Sequence, residues 1–75
     1  MKLSERIKAA RQNAFLTQEE FAKILGVSVC TVNRWETGKA RPNNTAMKHI
    51  KVFCETNTIN FDDIKSAWIS ATEEQ

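Results

Sequence analysis

The chain has 75 residues, 41% of them hydrophobic and 27% charged, which is room for one small folded domain over residues 1–75 and little space for a deep catalytic pocket. One Pro, two Gly and no biased run exclude collagen-like, linker and low-complexity classes, and no apolar stretch approaches the roughly 18 residues that cross a bilayer. The net charge of +2 is unevenly spread: residues 1–51 hold ten Lys/Arg against four Asp/Glu (+6), residues 52–75 one Lys against five Asp/Glu (−4), so a basic body suited to a polyanion precedes an acidic segment.

Helical spacing dominates, and no stretch alternates in the manner of a strand. Leu3, Ile7, Ala10 and Ala14 recur at helical intervals, predicting a first helix over Leu3–Asn13 with Ser4 as its cap. The second helix is better punctuated. Thr17-Gln18-Glu19-Glu20 is a capping box, Phe21, Ala22, Ile24 and Leu25 form an apolar face, and Gly26 ends it in the left-handed conformation. Ser28 caps a third helix whose Val32 and Trp35 share one face, and Thr37-Gly38 stops it. The basic segment 39–43, with Pro42, is a turn. Asn43 or Asn44 caps a fourth helix with Met47, Ile50 and Phe53 or Cys54 inward, and the polar run at 55–58 breaks it. A fifth helix over about residues 60–72 begins near Asn60, aided by Asp62 and Asp63 at its positive end. Its stripe is Phe61, Ile64, Trp68 and Ala71, and residues 73–75 are expected to fray. The fold class is all-α.

Residues 17–38 carry the functional signal. Two short helices about a sharp turn at Gly26 have little freedom of orientation, and a small Ala22 lets them approach. Such a helix-turn-helix can offer its second helix to a DNA major groove. The run Leu16-Thr17-Gln18-Glu19-Glu20-Phe21-Ala22, then Leu25-Gly26-Val27-Ser28, then Thr31-Val32-Asn33-Arg34-Trp35-Glu36-Thr37-Gly38 resembles the Cro/C1-type (Xre-like) helix-turn-helix family, and Arg41-Pro42 matches the loop that follows there. No single element is specific, but the combination over residues 3–55 is. The resemblance implies a compact five-helix, lambda-repressor-like DNA-binding domain, usually a transcriptional repressor acting as a homodimer on a double-stranded operator.

With Val32 and Trp35 inward, the outward positions of the third helix are Val29, Cys30, Asn33 and Arg34. Arg34 suits bidentate contact with guanine, its alternatives being a phosphate or a surface salt bridge. Asn33 suits adenine or a phosphate. Val29 and Cys30 depart from the polar residues the family tends to carry, and either meet a thymine methyl or merely tolerate the groove. Gln18, at a helix start, and Lys39, Arg41 and Asn44 are the expected phosphate contacts, and Thr31 is either another or a partner of the local helix cap. The resemblance makes Arg11–Glu36 a structural ion pair between the first and third helices. Lys48 and His49 read as a solvated face, and Cys54 as core.

Two departures stay open. Phe15 stands where the family often has glycine or a polar residue, and either covers the core edge or is partly exposed. The fifth helix has more apolar residues than its own core needs, so Trp68 and Ile69 either close the monomer or meet a partner. That surplus also supports a second reading, an antitoxin-like or accessory module that binds another protein through the last helix. Two cysteines and one His fit no zinc pattern, so no metal or cofactor is expected, and a reducing cytoplasmic (nucleoid) setting without a membrane fits a bacterial or phage regulator. An exposed Cys30 raises redox control of binding as a lesser idea. Nothing pairs a nucleophile with a base, so the chain does not read as an enzyme.

Overall fold

The structure, a computed structural model, describes residues 2–70, and among them are five helices and no strand: α1 (Leu3–Asn13), α2 (Gln18–Leu25), α3 (Val29–Glu36), α4 (Asn44–Thr56) and α5 (Phe61–Ser70). The all-α class and the order of elements are as expected. Ala71 and residues 73–75, assigned above to the last stripe and a frayed end, lie outside the described residues.

Most helix starts are local and side-chain driven. The Thr17 hydroxyl accepts the Glu20 N–H at 3.1 Å while the Glu20 carboxylate accepts the Thr17 N–H at 2.9 Å, a complete capping box. That backbone N–H, with the Thr17 hydroxyl's help, holds the Glu20 carboxyl below its ordinary pKa. Ser28 accepts the Thr31 N–H at 3.1 Å, and Asn43, rather than Asn44, accepts the Ala46 N–H at 2.8 Å. Asn60 accepts the Asp62 N–H at 2.9 Å ahead of α5. The first helix corrects the sequence reading. Ser4 sits inside the first turn, and α1 opens instead at Lys2, whose N–H donates to the Glu5 carboxylate at 3.0 Å. An acid on the first turn satisfies an orphan N–H there without a hydroxyl cap.

The first four helices end alike. A residue in the left-handed conformation (φ 59° at Phe15, 72° at Gly26, 76° at Gly38, 57° at Thr58) precedes an N–H that reaches five residues back. The bonds are Leu16 N–H to the Arg11 carbonyl (3.2 Å), Val27 to Ala22 (2.9 Å), Lys39 to Arg34 (2.9 Å) and Ile59 to Cys54 (2.8 Å). Glycine adopts that conformation without steric cost; Phe15 and Thr58 do not, so two of these stops are strained. Phe15 is 94% exposed, which decides its open question in favour of solvent.

The core gathers Leu3, Ile7 and Ala10 from α1, Phe21, Ala22 and Leu25 from α2, Val32 and Trp35 from α3, five residues from Ala46 to Cys54 on α4, and Ile64 from α5. Phe21 and Phe53 meet edge to face with ring centroids 5.0 Å apart. Cys54 is fully buried, and loss of water pushes its thiol up to about 11, the Glu55 charge adding to the effect. Ile24 departs from expectation. Placed above on the inward face of α2, it is 57% exposed, because Phe21, Ala22 and Leu25 already fill the seam. Trp68 is half-buried against the core and Ile69 is exposed. Helix α1 packs on α3 and α5, α2 on α3 and α4, and α5 on α4, so α5 touches the helix pair of interest mainly through other elements.

Candidate nucleic-acid interface

The turn Gly26-Val27-Ser28 sets α3 against α2. Gly26 ends α2, Val27 tucks against the core, and Ser28 starts α3 at once. With Val32 and Trp35 buried, 3.6-residue periodicity puts Cys30 nearly opposite the buried seam, flanked by Asn33 and Arg34, with Val29 and Thr31 at the edges. Val29, Cys30, Asn33 and Arg34 are all exposed. Thr31 is partly buried, and its hydroxyl shares a 2.9 Å hydrogen bond with Ser28, so it is already engaged in closing the helix start. Among the described residues the Arg34 guanidinium meets no carboxylate.

A charged cluster fastens this helix to the rest. Arg11 Nε donates to Glu36 Oε2 at 2.8 Å and Nη2 to Glu36 Oε1 at 3.0 Å, a two-pronged pair. The third nitrogen, Nη1, donates to the Leu16 carbonyl at 2.8 Å and so ties down the α1–α2 turn as well. Both side chains are sheltered, with only 12% of Arg11 and 3% of Glu36 exposed. The hydrogen bond to Glu36 raises the Arg11 pKa against the opposing effect of burial, so the guanidinium stays charged. Gln18 completes the cluster: its Nε2 donates to Glu36 Oε1 at 3.1 Å. Gln18, read from sequence as a phosphate contact, thus has its amide fixed by α3, while its backbone N–H remains at the open first turn of α2.

Past α3, Lys39 is exposed, and Asn44 is the first residue of α4, where N–H groups point outward. Arg41 is placed differently from a free loop arginine. It is half-buried, Nη2 donates to the Trp68 carbonyl at 2.8 Å, and the guanidinium carbon lies 4.4 Å from the centre of the Trp68 ring. The Trp68 Nε1–H in turn donates to the Pro42 carbonyl at 2.7 Å. The structure therefore brings Val29, Cys30, Asn33 and Arg34 onto one face, with Gln18 beside one edge; it draws Arg41 back toward α5.

His49 was missed. Read as part of a solvated face, it is exposed yet has Nδ1 3.1 Å from the Leu25 carbonyl at the end of α2. The only hint in the sequence is that the last carbonyls of a short helix need donors; which helix supplies one depends on packing.

A family model described as helix-turn-helix matches residues 7–50. The chain belongs to the Cro/C1-type helix-turn-helix family. The family match runs from Ile7 in α1 to Ile50 in α4 and leaves α5 outside. An HTH-type transcriptional activator, BcrR of Enterococcus faecalis, is 38% identical over 53 residues, covering 71% of this chain and 26% of that protein. The type II methyltransferase M.SsoII of Shigella sonnei is 38% identical over 53 residues, covering 67% of this chain and 14% of the enzyme. An uncharacterized HTH-type transcriptional regulator of Escherichia coli (strain K12), YiaG, is 33% identical over 46 residues, covering 61% of this chain and 48% of that protein. The chain thus spans less than half the length of these relatives. No solved structure gives a significant match.

Proposed function

We propose that this helix-turn-helix chain is a sequence-specific, DNA-binding transcriptional regulator that inserts α3 into the major groove of an operator. The observation that carries the reading is the exposed face of α3, where Cys30, Asn33 and an Arg34 guanidinium that meets no carboxylate among the described residues stand opposite the buried Val32–Trp35 seam. Arg34 is the base reader of choice, because its fork matches guanine O6 and N7. Asn33 pairs with adenine or reaches a phosphate, and Val29 with Cys30 lies against thymine methyls. The backbone N–H of Gln18, the Lys39 side chain and the N–H of Asn44 clamp phosphates on either side of the groove. Thr31 adds a phosphate contact at the edge of α3. The basic body of residues 1–51 draws the protein to DNA, and the acidic charge of residues 52–75 sits in the part assigned to pairing.

Two copies on an inverted repeat would place their α3 helices about 34–36 Å apart, one helical turn, with Ile69 on the pairing side. Repression then needs no chemistry, since occupying a promoter is enough. Regulation of this kind belongs in the cytoplasm, on the nucleoid. No described helix is long and apolar enough to cross a membrane. Selection of bound sites from random duplex DNA tests the reading. An enriched inverted repeat, bound less tightly as salt rises, is the expected result. Failure to enrich any motif at low salt would overturn it.

A further inference from the structure

The loop between α3 and α4 is unevenly held. At its start Gly38 turns the chain, and the N–H groups of Lys39 and Ala40 both donate to the Arg34 carbonyl, at 2.9 and 3.2 Å. At its end the Asn43 side chain caps α4. Between them, among the described residues, no backbone–backbone hydrogen bond starts or ends at Arg41 or Pro42. Pro42 has no N–H to give, and its carbonyl would be left without a partner but for one side chain. That side chain is Trp68, 26 residues away on α5.

We propose that Trp68 is a positioning residue for DNA binding: it grips the Arg41–Pro42 segment and so holds Lys39 and the start of α4 where they meet the phosphate backbone. The inference rests on the reading of the chain as a DNA-binding regulator and adds to it a residue outside the 7–50 span of the family match. The grip has three parts that act together. The indole N–H donates to the Pro42 carbonyl, the Trp68 carbonyl accepts from Arg41 Nη2, and the guanidinium lies over the ring. Ring and guanidinium are both half-buried, so water competes poorly for either hydrogen bond. Arg41 is therefore a strut rather than a free cation, and its charge offsets the negative end of the α5 carbonyl it meets. A consequence is that DNA affinity depends on α5 remaining docked, although α5 packs chiefly on α1 and α4.

The test compares Trp68→Phe, which keeps an aromatic ring but lacks the N–H, with Arg41→Lys, which keeps the charge but lacks the planar fork. Affinity for a selected operator, its salt dependence, the melting temperature and the amide spectrum of the free protein over residues 38–44 are measured for each. Trp68→Phe is expected to weaken DNA binding about fivefold, the worth of one net hydrogen bond. The salt slope should stay unchanged because no phosphate contact carries the lost group, and the amides of Lys39 and Asn43 should shift while those of α2 do not. Operator affinity within twofold of wild type, with unshifted loop amides in a folded Trp68→Phe protein, would show that Trp68 only fills space. Weakening by Arg41→Lys with no effect of Trp68→Phe would make Arg41 a direct DNA contact and likewise overturn the proposal. Should Trp68→Phe not fold, Arg41→Lys, which removes no core side chain, is judged by the loop amides, and unshifted amides there refute the grip. If the wild-type protein selects no operator, the regulator reading fails separately, and the loop amides still decide whether Trp68 holds the loop.

Discussion

The helix-turn-helix and the C-terminal helix are built on opposite plans. Within residues 17–38 the bonds that start and stop the helices are short-range: Thr17 with Glu20, Ser28 with Thr31, Val27 with Ala22. Around α5 they span the chain, from Trp68 to Pro42 and from Arg41 to Trp68. A unit closed by neighbours can be carried intact from one protein to another. The family match, over residues 7–50, covers it and stops before α5. A unit closed over 26 residues belongs to one particular arrangement of helices.

The largest effect should come from the point where the local unit is fastened to the rest. Glu36→Ala leaves the Arg11 guanidinium buried without its partner and should cost about 3 kcal/mol in urea unfolding. Replacing both, Arg11→Met with Glu36→Leu, should recover much of that loss, since the penalty lies in the orphaned charge. A double variant as unstable as the single one would show that the pair itself stabilises the fold.

Arg34→Ala should separate function from folding. Operator affinity should fall by about 2 kcal/mol with relaxed preference at one base pair, while the melting temperature barely moves. An equal loss for all sequences would reassign Arg34 to a phosphate. Ser28→Ala removes a purely local tie and should cost about 1 kcal/mol of stability. A much larger loss would mean that the start of α3 depends on more than its own cap.

The strained helix ends offer a gain instead. Phe15 adopts φ 59° with its ring 94% exposed, so Phe15→Gly relieves backbone strain and loses almost no packing. About 0.5 kcal/mol of added stability is expected, the steric relief exceeding glycine's extra entropy in the unfolded chain. A lower melting temperature would reveal packing by Phe15.

The smallest effect is one of pH. Because the Thr17 N–H holds the Glu20 carboxyl below its ordinary value of 4.5, its contribution is present above pH 4.5 and fades as pH falls through the lower folded value. Glu20→Gln should therefore melt slightly below wild type at neutral pH, and the gap should close in acid. A gap that persists at low pH would locate the effect in shape rather than charge.

Much of this protein was legible from its residues because its punctuation is local. The capping box at Thr17, the Gly26 and Gly38 stops and the Ser28 cap each act within a few residues, so residue order alone places them, and it narrows the cap of α4 to Asn43 or Asn44. The same reasoning misplaced the cap of α1, where Glu5 acts without a hydroxyl partner, and gave Ile24 a buried role. Helical spacing reports which residues share a face, not how wide the neighbouring helices make the seam. The outward set on α3 followed from Val32 and Trp35 by geometry. Three things did not: the Gln18 amide on Glu36, His49 on the Leu25 carbonyl, and Arg41 under Trp68.

By itself, then, the sequence determined the five helices, the turn between α2 and α3 and the polar face that α3 shows to solvent, because backbone hydrogen bonding and helical periodicity act over one or two turns. Only the tertiary structure decided what becomes of the charges and of the last helix. Whether an arginine faces water or lies on an indole depends on which helix end packs beside it. That is set by burial of a shared core whose members lie far apart along the chain.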